Sequence, residues 1–170
     1  MICQYSGLCQ NCDEKVIITI LEGKLLESCQ NCGGRPFNLK VYKGLVYVVD
    51  NPKQMGLKIG MSEKTVEQRI KALNSTGVVG SFKPIVTFPS DNPKKDEKKI
   101  HDKLAKFNIS KEHFNLDSVE AALKCYRILN RRKPIFYNKN IEKEFWEQIE
   151  KDRQEIQRCL KGKSENPYAV

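Results

Sequence analysis

The tetrapeptide Cys-Gln-Asn-Cys occurs twice near the start of this 170-residue chain, at 9–12 and again at 29–32. The two copies use four of its seven cysteines. Two Cys-x-x-Cys hooks separated by sixteen residues can supply four thiolates to one tetrahedral zinc ion, and a disulfide framework is the alternative. The choice between the two depends on the compartment in which the protein works.

The N-terminal sequence "MICQYSGLCQNC" has neither a basic segment nor a long apolar one, so it does not predict a secretory signal. The longest apolar run, "VIITIL" at 16–21, is far shorter than the roughly 20 residues that cross a bilayer, so no membrane partner is expected. We therefore expect an intracellular protein, cytoplasmic or nucleoid-associated, and in the host cytoplasm if it is phage-encoded. Because intracellular thiols stay reduced, the hooks favour a metal.

Residues 1–40 are predicted to form a zinc ribbon, in which four cysteines hold one structural Zn²⁺: Cys9, Cys12, Cys29 and Cys32. The intervening "EKVIITILEGKLLES" predicts two short strands around "EGK", a hairpin that brings the hooks together. A segment of this size seldom buries enough apolar surface to fold alone, and a closed four-sulfur site supplies the missing free energy. Cys3 has a spacing that matches no hook.

The net charge of +9 lies wholly outside the cysteine segment. It is 0 over residues 1–40, +6 over 41–130 and +3 over 131–170. A basic body of this kind suits a polyanionic partner, with DNA first among the candidates. The alternative is a lysine-rich surface that only keeps the protein soluble.

Residues 41–130 are predicted to form a mixed α+β domain. Strand patterns occur at 44–50, 57–62 and 82–88. Helical patterns occur over 63–74 with Ser62 as the cap, over 93–107 from Pro93, and over 118–129 with Asp117 as the cap. This order predicts a small three-stranded antiparallel sheet flanked by helices.

Several short motifs of this region stand in a characteristic order. They are "GLVYVV" at 44–49, "KIGMS" at 58–62, Arg69, "LNSTG" at 73–77, Glu97 and His101 in "EKKIH", and "EHF" at 112–114. Together they resemble the GIY-YIG nuclease superfamily, in particular a divergent phage-type branch with VY…KIG motifs. The resemblance extends over about residues 44–130. It implies the GIY-YIG fold and a metal-dependent endonuclease that hydrolyses phosphodiester bonds of DNA.

The resemblance assigns catalytic roles to Tyr47, Lys58, Arg69, Glu97 and His101. Glu97 matches the glutamate that binds one Mg²⁺ or Mn²⁺, and Arg69 matches the arginine that contacts the scissile phosphate. Lys58 stands where the usual motif has a tyrosine, and a lysine is a poor base unless desolvation lowers its pKa. It could instead bind phosphate as a point charge, which leaves the role of base to Tyr47 or His101. Each residue also has a structural alternative: a solvated acid, a surface arginine, a packed aromatic or a structural histidine.

Residues 131–170 begin with the basic patch Arg131, Arg132 and Lys133, which is a candidate DNA contact or a solvated linker. An amphipathic helix is predicted over 140–162. Its apolar stripe could dock on the body or pair with a second copy as a homodimer, and two heptads cannot separate these cases.

Three functions are compatible with these patterns. The first is a DNA endonuclease whose zinc ribbon aids DNA binding. The second is a non-catalytic DNA-binding regulator on a degenerate nuclease fold, which Lys58 permits. The third is a ribbon that binds protein instead of DNA, in line with its zero net charge.

Overall fold

The computed structural model describes residues 1–75 and 77–164, with side chains as far as residue 160. The chain divides into two compact units, Met1–Tyr42 and Lys43–Val170. Two parts of the predictions lie outside the described residues: Thr76 of the "LNSTG" motif, and residues 165–170 of the C-terminal segment.

The first unit is an antiparallel sheet of β1 (Ile2–Leu8), β2 (Lys15–Leu21) and β3 (Lys24–Leu25), in that order. The predicted hairpin around "EGK" is confirmed as β2–β3. Glu22 and Gly23 form its two-residue turn, and both have positive φ, as a type I′ turn requires. Strand β1 pairs with β2 along its whole length. The sequence pattern does not predict β1, because its residues are mostly exposed and its polarity alternates weakly.

The core of this unit is very small. Its buried members are Cys9, Val16, Ile18 and Cys29. Two of these four are cysteines of the repeated hooks, so the same side chains that would hold a metal also fill the core. The ring of Phe37 packs near this cluster and lies 4.4 Å, centroid to centroid, from Tyr5. So little buried apolar surface is the situation in which a small unit needs a metal or a disulfide for stability.

The second unit is built on a six-stranded antiparallel sheet in the order β7-β8-β5-β4-β6-β9. Its strands are β4 (Gly44–Asp50), β5 (Leu57–Ser62), β6 (Lys83–Ser90), β7 (Asn108–Ser110), β8 (His113–Phe114) and β9 (Ile135–Phe136). The three-stranded prediction is right about the central β5-β4-β6 and wrong about the size of the sheet. Strands of two or three residues show no alternation in a sequence, and they form because neighbouring long strands offer them an edge.

Four helices accompany this sheet: α1 (Val66–Leu73), α2 (Pro93–Leu104), α3 (Ser118–Ile128) and α4 (Lys139–Ser164). The predicted cap of α1 is wrong. Thr65, and not Ser62, accepts a hydrogen bond from the Gln68 N–H at 3.3 Å, because Ser62 still belongs to β5. The predicted cap of α3 is confirmed, since the Asp117 carboxylate accepts hydrogen bonds from the first turn of that helix.

The side chains of β4 are buried on both faces of the sheet. Val46 and Val48 belong to the main core, which includes residues of α2, α3 and α4. Tyr47 and Val49 point the other way and pack with residues of α1, of which Ile70 is one. This alternation places Tyr47 between the sheet and α1.

The first half of α4 docks on this domain. Phe145 is buried, and its ring centroid lies 5.0 Å from that of Phe136 and 5.3 Å from that of Tyr126. Farther along the helix, Ile156 and Leu160 are exposed. Pairing of this second half with another copy stays a prediction. Within the part of the chain that the structure describes, no helix is both long and apolar enough to cross a membrane.

Candidate metal centre and active site

Both copies of the repeated tetrapeptide form the same backbone turn. The carbonyl of Cys9 accepts a hydrogen bond from the N–H of Asp13 at 2.9 Å, and the carbonyl of Cys29 accepts one from the N–H of Gly33 at 2.8 Å. The donor residue has positive φ in each turn, 56° at Asp13 and 67° at Gly33. Glycine adopts this conformation freely and aspartate tolerates it. The repeat thus encodes two matching turns that each present two sulfurs.

The four sulfurs converge on one point. Sγ of Cys9 lies 3.8 Å from Sγ of Cys32, Sγ of Cys12 lies 3.7 Å from Sγ of Cys29, and all four are within 4.8 Å of one another. A tetrahedron of sulfurs around a zinc ion, with Zn–S bonds of about 2.3 Å, has edges of about 3.8 Å. Disulfide sulfurs would stand about 2.05 Å apart, and all four cysteines are free thiols. The quartet therefore fits a metal ion such as zinc.

The thiols of this quartet titrate unequally. The backbone N–H of Cys32 lowers the pKa of Cys29 to about 7, against the effect of burial. The backbone N–H of Gly34 favours the Cys32 thiolate, yet burial and the neighbouring thiols raise the pKa of Cys32 to about 11. Four clustered thiols cannot all ionise without a cation between them. A bound divalent metal would favour all four thiolates at once.

Tyr47 and Arg69 form the first contact of the candidate active site. Arg69, on α1, donates from Nε to the hydroxyl oxygen of Tyr47 at 3.1 Å. Its guanidinium carbon lies 5.7 Å from the centroid of the Tyr47 ring. Burial raises the pKa of Tyr47, although Arg69 opposes the shift, so the side chain remains a neutral phenol. Arg69 is partly buried, and it also lines a groove between the end of β5 and α1.

Gly60 of the "KIG" motif makes room for this pair. It is the cross-strand partner of Tyr47 on β5. A Cβ added at Gly60 would lie 2.5 Å from the Tyr47 hydroxyl oxygen and 2.7 Å from the ring carbon that carries it. The Tyr47 ring therefore lies across the glycine, and only a residue without a side chain fits beneath it.

We expect Gly60→Ala to disturb this arrangement. The new methyl group collides with a fully buried ring that has no free space to occupy, and overpacking of this kind costs about 1–3 kcal/mol. The free energy of unfolding should fall by that amount. Combining the change with Tyr47→Leu, which removes the colliding atoms, should cost less than the sum of the two single changes. Strict additivity in denaturant titrations would contradict the contact.

Lys58 forms an ion pair with Glu112, a residue to which the sequence patterns assign no role. The two side chains are 14% and 40% exposed, and the Lys58 ammonium donates to the Glu112 carboxylate. The pairing of β5 with β8 aligns Lys58 with His113, which brings the adjacent Glu112 into reach. Glu112 belongs to the "EHF" motif, so that motif was the available signal. The contact is a charge-assisted hydrogen bond, which fixes the position of the Lys58 side chain beside β8.

Side chains of α2 cap the edge of β5. Because β8 pairs only with the first two residues of β5, and the Ile59 N–H donates to the Glu112 carbonyl at 3.0 Å, the Ile59 carbonyl and the Met61 N–H need other partners. His101 donates from Nε2 to the carbonyl of Ile59 at 3.0 Å, which leaves Nδ1 as an acceptor. The Glu97 carboxylate accepts a hydrogen bond from the Met61 N–H. Glu97 and His101 are one turn apart and lie side by side along this edge.

Several neighbouring groups shift the pKa of the Glu97 carboxylate, in opposite directions. Burial raises the pKa of Glu97, and nearby Glu112 adds to the shift. His101, the Met61 N–H and Lys58 oppose it. A half-buried acid that feels several charged neighbours is typical of a functional site. The five residues that the sequence singles out therefore gather around β5: Tyr47, Lys58, Arg69, Glu97 and His101.

Comparison with known protein families gives one match, to the T5orf172 domain over residues 44–130. The chain belongs to the T5orf172 domain family. This domain is phage-associated and related to nuclease-like folds, and its limits in the chain coincide with those of the predicted resemblance. No curated protein and no solved structure matched the chain.

The basic patch that follows the T5orf172 domain is divided between two environments. Arg132 donates to the carbonyl of Pro89 at 2.9 Å and to the Asp96 carboxylate at 2.5 Å. These contacts tie the segment to β6 and α2, which gives Arg132 a structural role. Arg131 and Lys133 are exposed. DNA contact by Arg131, Arg132 and Lys133 stays a prediction, and the two exposed cations have the better access to a phosphate.

In the described residues of the T5orf172 domain, the carboxylates do not cluster closely enough to surround a cation by themselves. Within the described residues, the cysteine quartet is the only cluster of three or more histidine, cysteine or acidic ligands. Mg²⁺ in proteins is often held by one or two carboxylates, with water and substrate phosphates completing the shell. Glu97 is a half-buried carboxylate of this domain.

Substitutions of Lys58 in this T5orf172 domain can distinguish a role as a positive charge from a role as a base. As an ammonium that holds Glu112 and a phosphate, it should tolerate Arg far better than Met. If the domain is the nuclease that the sequence predicts, Lys58→Met should lower DNA cleavage about 10²-fold, the usual loss for one charge-stabilising contact, while Lys58→Arg should keep most of it. Cleavage rates of both variants across pH are the measurement. If Arg and Met are equally inactive, Lys58 acts as a base.

Proposed function

We propose that this protein is a metal-dependent DNA endonuclease of the GIY-YIG type, whose cysteine quartet holds a structural Zn²⁺ and aids DNA binding. The observation that carries the proposal is the convergence of Glu97, Arg69 and Tyr47 on strand β5. Hydrolysis of a phosphodiester needs a metal ligand, a fixed cation and a proton acceptor close together. Each of these is available around β5.

Glu97 is the residue that would hold Mg²⁺ or Mn²⁺. A divalent cation bound there would polarise the phosphate and lower the pKa of a bound water. The raised pKa of Glu97, caused first by burial, means that the free carboxylate is poorly solvated and gains from a cation. Keeping such a group in the fold costs stability, which suits a binding role better than a purely structural one.

Arg69 is the cation that would contact the scissile phosphate. Tyr47 accepts its Nε–H at 3.1 Å, which fixes the plane of the guanidinium and leaves the other N–H groups for phosphate oxygens. A guanidinium held in position before the substrate arrives stabilises the developing charge without further reorganisation. Tyr47 therefore acts as a positioning residue, and its raised pKa argues against a phenolate base.

His101 is the better candidate for the base. Its Nε2–H is engaged with the carbonyl of Ile59, so Nδ1 carries the lone pair that can take a proton from the attacking water. Glu97 lies one turn away on the same helix, so water bound near its carboxylate is within reach of the imidazole.

A non-catalytic DNA-binding regulator is the second candidate. The observation that favours it is Lys58, which stands in the position of a motif tyrosine and is neutralised by Glu112. In that case Glu97 would serve only to cap the edge of β5. The basic body would still bind DNA through phosphates.

Incubation of the purified protein with supercoiled plasmid separates the two candidates. A nuclease converts the plasmid to nicked or linear DNA when Mg²⁺ or Mn²⁺ is added and leaves it intact without the added ion. The Glu97→Gln variant is the matched control, because glutamine keeps an acceptor for the Met61 N–H. Wild-type protein that binds the plasmid and never cuts it in either ion would reject the nuclease and favour the regulator.

A further inference from the structure

Helix α2 carries a dense set of exposed cations. They are Lys94, Lys95, Lys98, Lys99 and Lys103. Among the ion pairs found in the described part of the chain, none involves these lysines. Their positive charge is therefore available to a partner.

This arrangement is unfavourable for the helix itself. Lys94 and Lys95 lie in the first turn of α2, where the helix dipole disfavours cations. Lys94 and Lys98 are also four residues apart, as are Lys99 and Lys103, and like charges at this spacing repel. A bound polyanion would relieve both effects.

The lysines form two rows on different sides of α2. Lys94 is three residues before Glu97, and Lys98 is three residues before His101, so each lysine neighbours one site residue on the helix surface. With 3.6 residues per turn, Lys94 is rotated by about 60° from Glu97, toward solvent. Lys99 is rotated by about 160° from Glu97 and faces away from the site.

A groove lies beside Arg69. This groove has a volume of about 660 Å³ and lies between the end of β5 and α1. Its lining includes the cations Lys64 and Arg69, the carboxylate of Glu63, and Met61 and Gln68. Met61 is also the residue whose N–H binds Glu97, so the groove and the lysine row meet at the proposed catalytic carboxylate.

From this geometry we infer that Lys94 and Lys98 form a phosphate track, which holds one DNA strand along α2 and leads it past Glu97 into the groove at Arg69. The inference rests on the proposed nuclease function for the identity of the partner. Lys94 and Lys98 would be positioning residues, since they neighbour the reacting phosphate without touching it. The second row, Lys99 and Lys103, would contribute only to the general positive field.

The test compares two double variants with the same change in charge, K94Q/K98Q and K99Q/K103Q, both in the non-cutting Glu97→Gln protein. Binding of a labelled DNA duplex is measured by fluorescence anisotropy over a series of salt concentrations. Each phosphate contact contributes about 0.9 to the slope of log affinity against log salt. K94Q/K98Q should lower that slope by the amount expected for nearly two phosphate contacts, and K99Q/K103Q should lower it by less than half as much. Thermal melts check that both variants fold.

Equal losses in the two double variants would overturn the track, because a diffuse field does not distinguish the rows. With Glu97 intact, K94Q/K98Q should raise KM for plasmid cleavage and leave kcat nearly unchanged. The track and the nuclease can fail separately. If the wild-type protein never cuts DNA but K94Q/K98Q still lowers the slope of log affinity against log salt, the nuclease proposal is wrong and the track is supported. Wild-type protein that cuts, with equal slopes in both variants, rejects only the track.

Discussion

Glu97→Gln should abolish DNA cleavage and at the same time raise the thermal stability of the protein at neutral pH. Glutamine has nearly the shape of glutamate and keeps an oxygen that accepts from the Met61 N–H, so the cap on β5 survives. It carries no charge for a divalent cation, and cleavage should fall at least 10²–10³-fold. Plasmid nicking and thermal melting of the same preparation measure the two effects.

The gain in stability should depend on pH in a defined direction. Burial holds the pKa of Glu97 above its usual value of 4.5 in the folded protein. The folded state therefore binds this proton more tightly than the unfolded chain, so the wild-type protein loses stability as pH rises from 4.5 through the folded pKa. Glutamine does not titrate. The Tm of the variant should match that of wild type near pH 4 and exceed it at pH 7.

Glu144→Gln on the exposed face of α4 is a matched control for this prediction. It removes the same charge from the second unit, away from β5 and α2. Cleavage should be retained, because Glu144 lies on an exposed face of α4. If Glu97→Gln melts below wild type at neutral pH, Glu97 is a stabilising cap and the argument from its raised pKa is wrong.

The elements that carry the catalytic candidates could be predicted from the sequence because their patterns are strong, while the catalytic roles themselves stay predictions. Tyr47 is in an apolar strand that is buried on both faces, and Arg69 and Glu97 are on amphipathic helices. Their positions relative to apolar neighbours fix which way they point once the helices pack. For the same reason the two Cys-x-x-Cys hooks predict the sulfur cluster, since each hook forms its own local turn.

The ion pair of Lys58 with Glu112 could not be predicted in this way. It depends on the register between β5 and the two-residue strand β8, which are separated by about fifty residues of chain. No local pattern encodes that register, because a strand so short has no periodicity. The hydrogen bond of His101 to the Ile59 carbonyl could not be predicted for a similar reason. It forms where β8 ends and leaves the edge of β5 unpaired, and the sequence does not show where that is.

Arg132 shows the limit of reasoning from charge. A run of three cations after the domain suggests a DNA contact, yet the middle one is used to join Asp96 and the Pro89 carbonyl. Asp96 is also bound by the Ser90 hydroxyl at 2.6 Å, so the three groups form a network between β6 and α2. A charge in a basic run can thus serve the fold, and only the contacts of each side chain decide its use.

The largest effect that we expect on the fold concerns the metal. Removing zinc, or replacing Cys29 by Ser, should unfold Met1–Tyr42 and leave Lys43–Val170 folded. The first unit buries only a few side chains, and Cys29 is both a core residue and a member of the quartet that could hold a metal. Structural zinc in small units is worth about 10–16 kcal/mol, far more than this core can replace. Elemental analysis should find one zinc per chain, and limited proteolysis of the stripped protein should digest the first unit alone.

Cys3→Ser is the control for this prediction, because Cys3 is an exposed cysteine of β1 that takes no part in the quartet. It should keep one zinc and the protease resistance of wild type, whereas Cys29→Ser should lose both. Without a cation between them, thiolates of the quartet repel one another, which agrees with the unequal pKa values of Cys29 and Cys32. A first unit that stays protease-resistant after zinc is stripped and the thiols are kept reduced would mean that its sheet folds without metal. The quartet would then be a site that binds metal for a purpose other than stability.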